Sequence, residues 1–305
     1  MKFSIFQSSR QGGRKYNQDR LAYSYSRDAL LMVVADGMGG HFHGEIAAQI
    51  AVQFLVDNFQ QQAAPALQDP FRFLLETFNH AHEAIGDYVL AHGLSEHPRT
   101  TCVACVVQGN HAYWAHVGDT RLYFFRQGKL MTCTRDHSLV QQLFERGKIS
   151  EEQMAHHPDR NKIYNCLGGP IRPDIEFSRK VPLSDGDTLL LCSDGLWSLL
   201  SADEIGAVVD TYPINAAIPE LLDHAELRGG EEGDNLSAIG MKWGDENSPI
   251  NPRTISTATL PLDGFTGQQN SFGVGREGNG EQAVTEADIE RAIAEIQAAI
   301  RKYSK

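Results

Sequence analysis

The chain has 305 residues, of which 41% are hydrophobic, and its formal net charge at pH 7 is −12. The acidic balance argues against nucleic acid as a partner, whereas many carboxylates are what a divalent-cation site needs. Because no apolar run reaches eighteen residues and no charged-then-apolar leader opens the chain, we expect a cytoplasmic protein without a membrane span. Five scattered cysteines do not form a disulfide framework and fit a reducing compartment.

The first half of the chain alternates strand-like runs with two long helical patterns. Strands are predicted at FSIFQS, LAYSYS and LLMVVA, and the last is almost continuously apolar and therefore buried. Helical spacing of apolar residues follows over residues 44–59 and 70–92. Strands return at TCVACVV, HAYWAHV, TRLYFFR and KLMTC, and the turn Gln127-Gly128 predicts a hairpin between the last two.

The second half again places two predicted helices between strands. The polar helical stretch 138–162 lacks a strong apolar face, and DTLLLCSDGLW predicts another buried strand. Two helices are expected over 202–210 and 216–228, before the strand NLSAIGMKW. Runs of strands separated by paired helices predict an α+β fold, with a central antiparallel β-sandwich flanked by pairs of helices.

The C-terminal part has a different composition. Residues 244–284 are rich in Gly, Asn, Ser, Thr and Pro, which predicts a flexible linker after a domain over 1–243. Residues 285–305 predict an amphipathic helix with an apolar stripe at heptad spacing, formed by Ile289, Ile293, Ile296, Ile300 and Tyr303. A helix this short is marginal alone, so we expect it to dock on a partner, to self-associate or to fold back.

Aspartates border several of the buried strands. Two apolar runs end in Asp-Gly, and the five aspartates next to strand sequence are Asp19, Asp36, Asp119, Asp194 and Asp234. One aspartate at a strand end is usually a turn residue, but five brought together by the sheets would repel one another. Hard divalent cations with oxygen ligands resolve such repulsion, so we predict a metal site at one end of the sandwich. The glycines after Asp36 allow the backbone to approach a bound group closely.

Eight motifs in order then point to one family: RKYNQDR, DGMGGHFHGE, the pair Thr100-Thr101, HVGDTRLY, RDHS, LGG, CSDGLW and GDN. Over residues 3–243 the chain resembles the metal-dependent serine/threonine protein phosphatases of type 2C, in the order typical of the bacterial branch. The resemblance implies hydrolysis of phosphoserine and phosphothreonine by a water that bridges two Mn²⁺ or Mg²⁺ ions. It also implies phosphorylated proteins as partners, with a Ser/Thr kinase among them.

The resemblance assigns metal-binding roles to individual residues. Asp36 would bridge both ions, and the carbonyl of Gly37 would bind one of them. The other ion would be held by Asp194 and Asp234. Asp119, together with Asp194, would form a third and weaker metal position, and Asp19 would reach the ions through water.

Roles in substrate binding follow from the same resemblance. Arg14 matches the phosphate-binding arginine, whose guanidinium fork suits two phosphate oxygens. Residues 145–167 match a mobile flap beside the site, which would influence the choice of phosphoprotein. Met38 stands where animal members carry a histidine that protonates the leaving group, and His41 is the nearest substitute. Gln18 replaces a glutamate of some members, which leaves the ligand aspartates unchanged.

Two alternatives to this enzyme remain open from the sequence. A pseudophosphatase or partner-switching regulator would act mainly by binding, and its metal ligands should be damaged, yet the aspartates are present. Cys166 and Arg172 have the CxxxxxR spacing of cysteine-based phosphatases. That chemistry needs a helix beginning at the arginine, whereas Pro173 and a strand-like run follow it.

Overall fold

A computed structural model of the chain describes residues 1–38, 44–244 and 256–259, the last four by their backbone. One antiparallel sheet has five strands in the spatial order β1-β12-β11-β7-β8. Its strands are β1 (Phe3–Arg10), β7 (Arg121–Arg126), β8 (Lys129–Cys133), β11 (Thr188–Cys192) and β12 (Leu236–Trp243). The predicted hairpin joins β7 to β8, and positive φ angles of 51° at Gln127 and 69° at Gly128 make its tight turn.

The second sheet has eight strands, six of them in the order β10-β6-β5-β3-β2-β13. These are β2 (Asp19–Tyr25), β3 (Ala29–Met38), β5 (Cys102–Gln108), β6 (His111–Val117), β10 (Val181–Pro182) and β13 (Ser256–Thr259). Two short strands, β4 (Arg99–Thr100) and β9 (Glu176–Phe177), pair with β3 and β6. The strand β13 lies within the predicted linker and pairs with β2.

Strand β3 shows why the apolar runs are continuous. Its residues Leu30, Met32 and Val34 pack into the core between the sheets, together with apolar residues of β7, β11 and β12. The alternate residues, Leu31 and Val33 among them, face the helices on the other side. Because both faces are buried, nearly every position is apolar, and each fully buried side chain of this size contributes roughly 1.5–3 kcal/mol.

Helices cover the outer face of each sheet. The eight-stranded sheet carries α1 (Gly44–Gln62) and α2 (Pro70–His92), and the five-stranded sheet carries α5 (Asp194–Trp197), α6 (Ala202–Thr211) and α7 (Ile214–Gly229). The segment predicted as a flap, residues 145–167, contains α4 (Glu151–Ala155), and α3 (Leu139–Glu145) leads into it. The layers therefore run helix, sheet, sheet, helix, and the predicted α+β sandwich is confirmed.

Three predictions fall wholly or largely outside the described part of the chain. They are the C-terminal helix over 285–305, the general acid candidate His41 and most of the linker over 244–284. Among the described residues, no helix combines the length and the hydropathy that crossing a membrane requires.

Candidate active site

Five chain segments bring the predicted aspartates to one end of the sandwich. Asp19 opens β2 and lies directly opposite Asp36 of β3 in the strand register. Asp119 follows β6, Asp194 opens α5, and Asp234 precedes β12. The negative charge of the other four acts on the Asp36 carboxyl, so all five form one electrostatic group. The structure therefore places the five aspartates together.

The carboxyl groups lie where ionisation is unfavourable. Burial is the main cause and raises the pKa of Asp19 to about 6. Burial and the neighbouring Asp234 raise the pKa of Asp194 to about 7. Burial and the other carboxylates hold the pKa of Asp36 and of Asp119 well above the usual value. Such a group needs a compensating positive charge near neutral pH.

The Asp19 carboxylate tests whether a cation fits this group. Its Oδ2 accepts a hydrogen bond of 2.7 Å from Ser193 Oγ. Its Oδ1 is buried and has no hydrogen-bond partner among the described residues, in a side chain that is 3% exposed. This oxygen and the carboxylates of the same electrostatic group offer a cation oxygen donors alone, which suits Mn²⁺ or Mg²⁺. The residues present therefore fit the predicted metal ions.

Backbone contacts fix the end of β3. The carbonyl of Asp36 accepts hydrogen bonds from Thr100 Oγ1 at 2.8 Å and from Thr101 N at 2.9 Å. A Cβ on Gly37 would lie 2.3 Å from the backbone of Gly44, and a Cβ on Gly44 would lie 2.8 Å from Gly37. Both positions thus require glycine, because the start of α1 touches the strand that carries Asp36. This explains two of the glycines in the DGMGGHFHGE motif.

The Asp119 loop also depends on a close approach. Gly118 has φ +99°, and a Cβ there would lie 2.5 Å from the Thr101 side chain. The carbonyl of Asp119 accepts a hydrogen bond of 2.9 Å from Trp197 Nε1. The Trp197 ring is covered by Arg121, whose guanidinium carbon lies 3.6 Å from the ring centroid. These contacts hold Asp119 near Asp194.

Arg14 reaches the site as a two-pronged ion pair. Its Nε and Nη2 donate to the two carboxylate oxygens of Asp234 at 2.8 and 2.6 Å. The Arg14 side chain remains 57% exposed, so its remaining N–H groups can meet an incoming anion. The predicted phosphate-binding residue therefore lies at the cluster and contacts one of the predicted metal ligands.

Asn235 is a site residue that the motifs did not assign. Its Nδ2 donates to the carbonyls of Gln11 and Tyr16 at 2.7 and 3.0 Å, and its Oδ1 accepts from Gln18 N at 2.9 Å. One buried amide thereby holds the loop that carries Arg14. The signal was the asparagine of GDN, a buried polar residue directly after a predicted ligand.

The glycines of that same loop were also missed. A Cβ on Gly12 would lie 2.1 Å from the carbonyl oxygen of Asp234, and one on Gly13 would lie 2.1 Å from that of Glu231. Gly13 N donates to the Gly233 carbonyl at 2.9 Å. The pair Gly12-Gly13 thus lets the Arg14 loop rest directly on the segment that carries Asp234. Adjacent glycines just before an arginine were the available signal.

The structure lacks the geometry that a cysteine-based phosphatase would need at Cys166 and Arg172. Burial raises the pKa of the Cys166 thiol, which disfavours the thiolate. No described helix begins at Arg172, and its Nε donates to Asn79 Oδ1 at 3.1 Å. Cys166 therefore lacks the amide cradle that a cysteine-based phosphatase needs.

Comparison with known proteins identifies the family of this chain. The family model for protein phosphatase 2C matches residues 7–229, which is more than half of the chain. The chain belongs to the protein phosphatase 2C family. The serine/threonine phosphatase Stp of Listeria monocytogenes is 30% identical over 237 residues, covering 77% of this chain and 93% of the relative. Protein phosphatase PhpP of Streptococcus pneumoniae is 32% identical over 240 residues, covering 76% and 94%.

Solved structures show the same fold. The serine/threonine phosphatase of S. agalactiae has a TM-score of 0.72 at 29% identity, covering 79% of this chain and 99% of that one. The catalytic domain of the phosphatase PstP in complex with two manganese ions has a TM-score of 0.67 at 30% identity, covering 79% and 97%. The predicted family, protein serine/threonine phosphatase activity and dependence on Mn²⁺ or Mg²⁺ are confirmed. The enzyme acts on phosphorylated proteins, which disfavours the alternative that acts mainly by binding.

Proposed function

We propose that the five clustered aspartates are the metal-dependent catalytic site of this phosphatase. The observation that carries the proposal is the buried, unpartnered Oδ1 of Asp19 within a group of five carboxylates. Asp36, Asp194, Asp234 and the Gly37 carbonyl would hold two divalent ions. Asp119 with Asp194 would hold a third, and Asp19 would act through water. When bound, such ions neutralise phosphate charge and lower the pKa of water.

The protein side chains position the substrate in this proposal. Arg14 offers a planar fork to the phosphate oxygens, and Asn235 fixes the loop from which Arg14 projects. The contact between Arg14 and Asp234 supports phosphate binding beside the proposed metal ligands. The departing serine or threonine oxygen needs a proton, and we retain His41 as its donor.

The remaining assignments concern organisation and partners. The catalytic domain would span residues 1–243, and the flap over 145–167 would contact the phosphoprotein. A bacterial Ser/Thr kinase would be one substrate, in the cytoplasm. The segment 285–305, after the linker 244–284, would be a docking or self-association element. The named phosphatases Stp and PhpP support protein substrates for this site.

Phosphate release from a phosphothreonine peptide tests the proposal. Activity should require added Mn²⁺ or Mg²⁺, disappear in EDTA and survive iodoacetamide, because no step uses a thiol. Activity that persists in EDTA and is lost on alkylation would show that a cysteine carries out the reaction and would contradict the proposal. Comparing phosphoproteomes with and without the protein would then identify its substrates.

A further inference from the structure

A second polar cluster lies outside the aspartate group. It consists of His116 of β6, His137 between β8 and α3, and Glu176 of β9, and their nearest ligand atoms all lie within 4.8 Å of one another. The two imidazole rings stack with centroids 4.7 Å apart, and both are buried. None of the three has a role in the proposed chemistry.

Hydrogen bonds decide which nitrogen of His137 carries the proton. Its Nδ1 accepts from the backbone N–H of Gly118 at 3.1 Å and from Asn165 Nδ2 at 2.7 Å. The Asn165 amide cannot be reversed, because it donates to Asp174 O and accepts from Asp174 N. Both partners of Nδ1 are donors, so the proton lies on Nε2, 3.4 Å from the Glu176 carboxylate. In this tautomer His137 donates from Nε2 and does not ligate a metal.

His137 binds both backbone polar groups of Gly118. Its N–H donates to His137 Nδ1, and its carbonyl accepts from His137 N at 3.0 Å. Gly118 cannot easily move elsewhere, since its left-handed backbone already lies against Thr101. The next residue is Asp119. His137 therefore fixes the backbone of the residue immediately before Asp119.

The other partners of His137 belong to the flap. Tyr164 N donates to the His137 carbonyl at 3.0 Å, and Asn165 binds the ring. Beside them, Leu139 N donates to Lys162 O at 2.9 Å, and Ser138 and Ile163 form an isolated β-bridge. Residues 137–139 and 162–165 thus form the neck from which the flap projects.

We propose that His137 is a positioning residue that couples the flap to Asp119. One atom, Nδ1, accepts both from the flap residue Asn165 and from the backbone N–H of Gly118, the residue before Asp119. A phosphoprotein that shifts the flap would change cation affinity at Asp119, and cation binding there would change the flap by the same free energy. The inference rests on the proposed role of Asp119 as a ligand of the third ion.

Three substitutions separate the shared acceptor from general damage. His137→Asn keeps an acceptor near the Nδ1 position, His137→Gln keeps a polar group near Nε2 only, and His137→Ala keeps neither. Glu176→Gln is the matched control, because its side chain still accepts from Nε2 and is half exposed. Circular dichroism and thermal melting would establish that each variant folds.

Limited trypsin digestion reports on the flap without needing a cation. The flap and its neck offer four sites, at Arg146, Lys148, Arg160 and Lys162. We expect His137→Gln and His137→Ala to be cleaved there roughly tenfold faster than wild type, the effect of losing one or two hydrogen bonds. His137→Asn and Glu176→Gln should behave like wild type.

Manganese titration calorimetry tests the other half of the coupling. Wild type should show a weak binding step that Asp119→Asn removes, and His137→Gln should weaken this step roughly tenfold while leaving tight binding unchanged. His137→Asn should restore it. Loss of phosphatase activity in Asp194→Asn checks the proposed function separately from these readouts.

Several results would overturn the coupling. If His137→Gln changes neither trypsin cleavage nor weak Mn²⁺ binding, Nδ1 does not couple the flap to Asp119. Equal changes in cleavage and binding for His137→Asn and His137→Ala would show that His137 contributes only core packing. A titration without an Asp119-dependent step would remove the link to the third ion. Zinc binding that His116→Ala abolishes would make the cluster a metal site and contradict the assigned tautomer.

Discussion

Two apolar runs of this phosphatase lead into the same Asp-Gly sequence, yet the chain takes a different path at each. Strand β3 continues through Asp36 and Gly37 to Met38, and Gly37 pairs with Thr100 of β4. Strand β11 stops at Cys192, and Asp194 is the first residue of the helix α5. One carboxylate is thus directed by strand register and the other by the start of a helix.

The glycines differ in the same way. Gly37 leaves room for the start of α1, whereas a Cβ on Gly195 would lie 2.1 Å from the carbonyl of Asn235. Gly37 therefore leaves room for the helix that begins within its own motif, and Gly195 leaves room for a segment about forty residues further along the chain. Similar sequences deliver an acid to the same site because different neighbours determine where each acid points.

The largest expected effect comes from the acids themselves. Asp36→Asn and Asp194→Asn should each lower kcat/KM by more than about 100-fold, beyond the loss typical of residues that only support metal ligands. Asp36→Asn should be the more severe, since Asp36 is assigned to both tightly bound ions. The measurement is phosphopeptide hydrolysis against Mn²⁺ concentration, with the exposed Asp203→Asn as control. Near wild-type turnover of Asp194→Asn at low Mn²⁺ would remove it from the site.

The glycines give the next largest effect. Gly37→Ala and Gly195→Ala should both lower the melting temperature, because the new Cβ would lie 2.3 and 2.1 Å from fixed backbone. Gly195→Ala should also weaken Mn²⁺ binding, since the displaced Asn235 carbonyl is next to Asp234. Gly86→Ala is the control: nothing lies within 4 Å, so the helix should gain roughly 0.5–1 kcal/mol. A Gly195→Ala protein as stable as wild type would contradict the close contact.

Arg14 tests whether the Asp234 side of the site binds substrate. Arg14→Ala should raise KM for a phosphopeptide roughly tenfold and change kcat less, because a phosphate clamp acts mainly on ground-state binding. Arg14→Lys should restore charge but not the two-pronged geometry, and exposed Arg27→Ala is a matched control. Collapse of kcat at constant KM would instead assign Arg14 to the transition state.

The raised carboxyl pKa values predict a pH effect on stability without metal. The pKa of Asp19 is about 6 and that of Asp194 about 7 in the folded protein, above their ordinary value. Between the ordinary value and these values the folded state binds more protons, so the free energy of unfolding falls as pH rises. In EDTA the melting temperature should drop from pH 5 to pH 8, and Mn²⁺ should reverse the drop. A flat profile in EDTA would show that burial and the neighbouring carboxylates do not raise these two pKa values.

The sequence predicted most of the sandwich because both faces of its strands are buried. Continuous apolar runs such as LLMVVA and TLLLC leave few other structures open to them, and Asp-Gly at their ends marked where charge collects. The family motifs then named the aspartates that the fold brings together. The predicted helix over 216–228 begins earlier, at Ile214, since Pro213 can occupy the position before the first helical turn.

The supporting residues could not be predicted from local pattern. Asn235 acts on a loop more than two hundred positions away, and the roles of Gly12 and Gly13 depend on a segment equally distant in sequence. The imidazole of His137 is shared between two loops only after both are folded. Such contacts depend on which chain segments meet, and local sequence patterns do not specify those meetings.

The smallest effect should come from the C-terminal end. Every site residue discussed lies before residue 244, so deleting 285–305 should leave small-substrate turnover and both Asp-Gly segments unchanged. The predicted apolar stripe at heptad spacing would need to be buried against a partner or the domain, because a helix of this length would be marginal alone. The deletion should therefore change either the oligomeric mass, measured by light scattering, or the rate on a phosphoprotein. An unfolded truncated protein would place the helix in the catalytic core and contradict the division at residue 243.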